Sequence, residues 1–233
     1  MMMSFRGSRR EIPERPGKRP GAFTLLELLV VLGILAILLV AIVPAINSLS
    51  KSSGRKGAIG NLLGAIEQAR AQAIRTGVAT YLVLPGDIGT TDPALTQRYS
   101  YRSYAIFEDD PTAPKQLTPW RMLPTGISIR SKIDSGTDRH GGLGSLPTGV
   151  SFPFQPTNSS QTFPYVKFNA SGEIEDPSSD VWLVVFEGSV ASGGAEIITG
   201  AKDSFGNPIV SEALKVSRLT GRAEPTATPT PSS

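Results

Sequence analysis

Residues 21–44 read GAFTLLELLVVLGILAILLVAIVP. Nineteen residues from Leu28 to Ile46 pass without a charge, close to the roughly 20 apolar residues that a helix needs to cross a bilayer. A buried core helix is seldom so long or so uniformly apolar, so the run reads as a transmembrane segment. One carboxylate, Glu27, stands at its edge. A charged side chain costs about 2.5–3.5 kcal/mol at the bilayer centre and less near an end, so Glu27 needs a partner or a role unless it snorkels to the head groups.

The flank before this run is basic. Arg6, Arg9, Arg10, Arg15, Lys18 and Arg19 face only Glu11 and Glu14 in the first 22 residues, a net charge of +4. The whole chain holds 23 basic and 20 acidic side chains, which leaves 17 and 18 from Phe23 onward, a net of −1. The sequence pI of 9.3 therefore describes a leader and not a body, and bulk charge does not indicate a general nucleic-acid binder. Basic residues ahead of the span, against Lys51, Arg55 and Lys56 after it, predict a cytoplasmic N-terminus and an exported remainder. Val43-Pro44-Ala45 is a poor secretory cleavage site, since it contains Pro and follows a long apolar run. The more informative site precedes the run, where Gly21 and Ala22 meet Phe23-Thr24-Leu25-Leu26-Glu27.

Beyond the span the helical pattern continues. Ile59, Leu62, Leu63, Ile66, Ala69, Ala73 and Ile74 recur at three- and four-residue spacing, with Glu67, Gln68, Arg70, Gln72 and Arg75 on other faces, as an amphipathic helix requires. Gly77 is the expected stop. Phe23 to Thr76 is 54 residues, about 80 Å of unbroken helix. Pro44 inside it removes a backbone hydrogen bond and predicts a kink. Gly33, Gly54, Gly57, Gly60 and Gly64 either soften the stem or permit close packing.

After Gly77 short β-branched and aromatic runs alternate with Gly, Pro, Asp and Ser clusters. Expected strands are 79–84, 100–107, 127–130, 165–168, 181–186, 195–199 and 214–218, with long loops at 85–98, 134–149 and 151–162. One long helix against seven short strands makes an α+β chain with an antiparallel head. The 233 residues, 39% hydrophobic with 24 Gly and 19 Pro, suit one folded head with appendages. The last nine residues, PTATPTPSS, read as a disordered tail. With no cysteine and only His140, disulfides, thiol catalysis, Cys-zinc sites and paired-imidazole sites are excluded.

GAFTLLELLVVLGILAILLVAIVP resembles the N-terminal signature of the type IV pilins and type II secretion pseudopilins. The resemblance implies a prepilin peptidase that cuts on the cytoplasmic side and methylates the new amino group. Cleavage between Ala22 and Phe23 makes Phe23 the methylated first residue and Glu27 the fifth; Gly21 lies one place behind the cut, where the family usually carries its Gly immediately before it. It implies that Glu27 pairs with the amino group of Phe23 on a neighbouring subunit and sets register, and that Pro44 kinks the stem at a position where the family often carries Pro. The implied organisation is a cleaved basic leader (1–22), a transmembrane half-helix (23–50), an amphipathic half-helix (51–77), a β-rich head (78–224) and the tail (225–233). Other pilins or pseudopilins and an inner-membrane assembly platform would be the partners. The protein would be a single-pass inner-membrane subunit with its head in the periplasm, entering a filament on assembly.

Within that class, NLLGAIEQARAQAIRTGVATYLVL (61–84, with Ala69, Arg70, Ala73 and Ile74), FNASGEI (168–174) and VSRLTGRAE (216–224, with Thr220, Gly221 and Arg222) resemble the H-type minor pseudopilins and FimT-like minor pilins. A minor subunit of a type II secretion pseudopilus or type IV pilus, supporting protein secretion, is implied. Some FimT-like pilins act in DNA uptake, and here Lys215, Arg218 and Arg222 would be the phosphate-neutralising residues; the opposing reading is a solubilising strand edge. A third reading is an anchored binding domain whose leader stays on.

Other chemistry finds little support. His140, Asp138 and Ser145 share one Gly-rich loop without a scaffold to hold a triad, and Gly141-Gly142-Leu143-Gly144 matches no phosphate-binding motif. Calcium stabilises the heads of some major pseudopilins, yet Glu108, Asp109, Asp110, Asp87 and Asp92 show no calcium-loop spacing. The expectation is a non-enzymatic subunit without metal or cofactor.

Overall fold

The computed structural model describes residues 24–131, 142–204, 206–209 and 211–227, with the side chains of Ile37, of residues 39–52 and of Ala227 excepted. The leader, Phe23, Asp138, His140 and the tail beyond residue 227 lie outside the described residues. The chain divides into two compact units, Met1–Ile46 and Asn47–Ser233.

Helix α1, Leu25–Thr76, begins in the first unit and ends in the second. It stops where its sequence stops it: the Gly77 amide returns to the Ala73 carbonyl at 2.9 Å, and Gly77 takes φ +69°, the left-handed conformation that glycine adopts without a Cβ penalty. The strands that follow are β1 (Thr80–Val83), β2 (Ser103–Glu108), β3 (Lys115–Gln116), β4 (Arg121–Met122), β5 (Ile127–Ile129), β6 (Ser151–Phe154), β7 (Ser159–Thr162), β8 (Tyr165–Phe168), β9 (Ile174–Asp176), β10 (Val181–Val190), β11 (Glu196–Ile198), β12 (Ser211–Val216) and β13 (Ala223–Ala227), with a short helix α2 (Pro93–Tyr99) between β1 and β2. Every pairing is antiparallel.

One sheet runs β3-β2-β1-β8-β9 with β4 also on β2, a second runs β11-β10-β12-β13 with β5 also on β10, and β6–β7 is a separate hairpin. The period of two along each strand divides the core. Leu82, Ile106, Val166 and Phe168 from the first sheet and Leu183, Val185, Leu214 and Val216 from the second enclose the α1 stripe Ala58, Ile59, Leu62, Ala65, Ile66, Ala69 and Ala73. The neighbouring positions Tyr81, Val83, Ala105, Phe107 and Tyr165 turn to the other face and form a second core with Phe152, Phe154 and Phe163. All four residues of β1 are buried, because a strand covered on both faces has no solvent side. In the second core the Tyr81 ring meets Phe152 and Tyr165 edge-on, at 5.3 Å each, the geometry that aromatic quadrupoles prefer. Burial first, and then the hydrogen bond to Asp109, push the Tyr81 phenol up to about 12.

The α+β class and antiparallel head expected from the sequence are the observed architecture, and each of the seven expected strands has a counterpart. The differences have local causes. Residues 93–99, expected within a loop, form α2: Asp92 accepts from the Ala94 amide at 2.8 Å and Pro93 occupies the first turn, the favoured chemistry of a helix start. Residues 151–162, also expected as loop, form the β6–β7 hairpin, since Phe152 and Phe154 alternate inward onto the first sheet while Pro153 stays half-buried between them. Residues 225–227, expected in the disordered tail, are strand instead, because Pro225 pairs with Leu214 and Thr226 with Ala213 in the β12–β13 ladder. β13 borders β12 alone, and at an edge a proline's missing amide proton need not be matched. Ile74, expected on the apolar stripe, is 46% exposed at the last turn of α1.

Phe152 is fully buried and its hairpin is the cover of the second core. Phe152→Ala is expected to lower unfolding free energy by about 3–5 kcal/mol, read by urea denaturation of the detergent-solubilised chain. A loss under about 1 kcal/mol, the scale of a surface substitution, would mean that the hairpin is an ornament.

Candidate functional site

The N-terminal unit presents a helix start with a single carboxylate. The Thr24 hydroxyl accepts the Glu27 amide at 3.2 Å, and the Thr24 carbonyl accepts the Leu28 amide at 3.2 Å. Thr24 is thus the N-cap and Glu27 the third helical residue, the spacing of a capping box. A carboxylate there also complements the positive end of the helix dipole. The Thr-x-x-Glu signal stands in the sequence, but the charge of Glu27 within an apolar run draws the eye from it.

From Leu25 to Leu38 the described apolar side chains are bare. Leu25 is 84% exposed, Leu26 71%, and Leu28, Leu29, Val30, Val31, Leu32, Ile34, Leu35 and Leu38 lie between 47% and 62%. They occupy consecutive positions, so the helix is apolar all round rather than on one stripe, and such a surface requires lipid or other chains around it. Among the described residues no helix is long and apolar enough to cross a membrane; the Leu28–Ile46 run passes through Ile37 and residues 39–46, whose side chains lie outside them. Pro44 lies inside α1. Gly21, Ala22 and Phe23 lie outside the described residues.

In the head, three separated segments of sequence meet at one point. Arg70 on α1 donates from Nε to the Thr220 carbonyl at 2.7 Å. Next to Thr220, Gly221 has φ +60°, and a Cβ there would overlap the carbonyl oxygen of Gly172 and lie 3.2 Å from Arg70 Cδ. Gly172, at φ +81°, leaves no room of its own: a Cβ would lie 2.6 Å from Ile74 Cδ1 and 3.2 Å from Arg70 Nε. The Gly172 turn is held by Asn169, whose side-chain oxygen accepts the Ser171 and Glu173 amides at 3.0 Å each, and Ile174 N donates to the Arg218 carbonyl at 2.9 Å. The segments 69–74, 168–174 and 216–224 therefore form one latch between the end of α1 and the two sheets. At the other end of the stripe Arg55, 12% exposed, is ion-paired to Glu187 on β10, with Glu212 on β12 at 3.8 Å.

Of the basic residues of the β12–β13 hairpin, Lys215 is opposed by acidic groups. Lys215 pairs with Asp180 at 3.0 Å, lies over the Trp182 ring at 5.6 Å and faces Glu224 in register. The Arg218 amide first, and then the Lys215 ammonium, hold the Asp180 carboxyl below its ordinary value. Arg218 and Arg222 are exposed in the connecting turn. The acidic residues after β2 are engaged too: Glu108 accepts from Gln72 at 3.4 Å, Asp109 pairs with Lys167 at 3.1 Å, and Asp110 accepts the Thr112 amide at 2.9 Å.

Residues 17–43 match the prokaryotic N-terminal methylation motif. Residues 58–195 match the type II transport protein GspH family. Among solved structures, the type IV minor pilin FimU of Pseudomonas aeruginosa (strain PAO1) matches with a TM-score of 0.42 at 10% identity, over 77% of this chain and 92% of that one. No curated protein matches the chain.

The latch makes a graded expectation for two glycines with positive φ. Gly77→Ala meets open space and should cost only the left-handed backbone penalty, about 1–2 kcal/mol. Gly221→Ala adds a clash with main chain, for a total of about 3 kcal/mol or more. Equal losses in denaturant titrations of the two variants would show that the latch is not a packed contact.

Proposed function

The chain belongs to the type II transport protein GspH family and carries the prokaryotic N-terminal methylation motif ahead of it, and from that premise we propose how this minor pilin-type subunit is matured and placed. It is made as a precursor with a basic leader, Met1–Ala22. A prepilin peptidase cuts the Ala22–Phe23 bond and methylates the new amino group of Phe23. The mature chain stays in the bacterial inner membrane through the first half of α1, with its N-terminus on the cytoplasmic side and its head in the periplasm. An assembly platform then passes it into a type II secretion pseudopilus or type IV pilus-like filament beside other pilin-type subunits, where the kink at Pro44 lets the stem bend between neighbours.

The observation that carries this reading is the bare helix headed by one carboxylate. Ten large apolar side chains between Leu25 and Leu38 are exposed, and only lipid or neighbouring stems would satisfy them. Glu27 stands among them as the single charge. Cleavage creates a cationic amine four residues before it, and pairing the two across subunits neutralises both in a medium where neither is stable alone. The capping bond from the Glu27 amide to Thr24 holds the main chain of that first turn and leaves the carboxylate exposed. In the head, Arg55, Lys167 and Lys215 are each engaged in ion pairs.

Intact-mass measurement after co-expression with an active or a catalytically dead prepilin peptidase tests the maturation step. A chain beginning at methylated Phe23 is expected with the active enzyme alone; full precursor in both would overturn it. For assembly, Glu27→Ala is expected to be cut normally yet fall at least about tenfold in sheared filaments, the equivalent of about 1.4 kcal/mol. Undiminished recovery would remove Glu27 from assembly.

A further inference from the structure

A cavity of about 600 Å³ opens in the head between α2, the Thr125–Gly126 turn and the end of β10. Hydroxyl-bearing residues line it, among them Thr91, Thr125, Ser189 and Thr199, and among the described residues of its lining Arg102 is the one that carries a charge. Arg102 stands half-buried just before β2, and among the described residues no carboxylate pairs with it. Its terminal nitrogens reach only the main-chain carbonyls of Gln97 and Pro124, both at 3.5 Å, the outer limit of a hydrogen bond. Its Nε is buried without a partner. Among the described residues every other buried or half-buried arginine that faces a carboxylate makes an ion pair, as Arg55 and Arg130 do with Glu187 and Glu196, while Arg102 makes none. Burial alone lowers its pKa and no negative neighbour raises it. Asp87, bonded to Ser192 of the lining, is occupied by the Ser192 hydroxyl at 3.1 Å and the Gly193 amide at 2.6 Å.

A guanidinium stays charged at any physiological pH, and withdrawing it from water without a counter-charge is costly. A protein that keeps such a group at the wall of a cavity has left the anion to be supplied from outside. We propose that this cavity binds a carboxylate-bearing ligand, anchored by Arg102 and surrounded by the hydroxyls of its wall. The planar fork of guanidinium N–H groups matches a carboxylate in two parallel bonds. The absence of a second cation from the lining fits one negative charge better than a phosphate dianion, which would leave charge unbalanced. The carboxylate belongs to a small organic acid or to the C-terminus of an extended peptide.

The test uses the full chain in detergent micelles at neutral pH, with sodium acetate exchanged for sodium chloride at constant ionic strength. A ligand that binds only the folded state stabilises it by RT ln(1 + [L]/Kd) and so raises Tm, and acetate is expected to raise Tm of the wild-type chain. Arg102→Gln should abolish the rise. Ser189→Trp, at an exposed position of the cavity lining, should abolish it by filling the space with the charge left in place, and it decides the matter if Arg102→Gln does not fold. N-acetyl-trialanine with a free or an amidated C-terminus then separates the two sources. Binding at least about tenfold tighter than acetate, and lost on amidation, identifies a chain terminus; affinity equal to that of acetate identifies a small acid. No rise in the wild-type chain, or an equal rise in Arg102→Gln or Ser189→Trp, would overturn the proposal.

Discussion

The stripe of small and branched residues on the second half of α1 is the constraint on which the head depends. Ala58, Ala65, Ala69 and Ala73 alternate with Ile59, Leu62 and Ile66, all buried. The alanines let the sheets approach the helix backbone, and the larger side chains fill the space between, each fully buried Leu or Ile contributing about 1.5–3 kcal/mol. Both sheets contribute to the same cluster, so neither has an inner face without the helix. The two arginines at the ends of the stripe follow from this. Arg55 meets the second sheet through Glu187, and Arg70 meets the turn that leads into β13 through the Thr220 carbonyl; each keeps its charge at the margin of the apolar seam, where its aliphatic stem can pack and its head can find a partner.

How much of this was legible in the sequence depends on whether the signal was periodic. Helix α1, its end at Gly77 and the seven strands follow from spacing alone. The β6–β7 hairpin did not, because Pro153 and Pro156 punctuate the run and the inward pair Phe152 and Phe154 has meaning only when a sheet face is there to receive it. Asp92-Pro93 was a readable helix start set within a polar stretch that resembled a loop. Residues 225–227 were hidden by composition: a Pro/Thr segment looks like a tail until an edge such as β12 pairs with it. For the candidate sites the division is similar. Glu27 announces itself as the lone charge beside an apolar run. Arg102 does not, since one arginine among many is ordinary in a sequence and becomes unusual only through the carboxylates that the fold keeps away from it.

The family match and the packing divide the head at different places. The matched segment ends at residue 195, within the second sheet, whereas β12 and β13 come after it. Those later strands are not an addition to a finished core: Leu214 and Val216 are fully buried in the cluster that holds α1. The part of the sequence outside the match is thus as necessary to the hydrophobic seam as the part within it.

The bond from Arg70 to Thr220 joins residues 150 positions apart. At synthesis rates of 5–20 residues per second, roughly 8–30 s separate the appearance of its two ends. Local helix formation takes about a microsecond, so α1 has its apolar stripe long before either sheet is whole: the first is completed only by β9 at Asp176 and the second only by β13. The head is a structure whose earliest element is completed by its latest, and such long-range closure is intrinsically slow. Its newborn form spends its first seconds with half a core, a period in which a neighbouring apolar surface competes with β12 and β13 for the same seam.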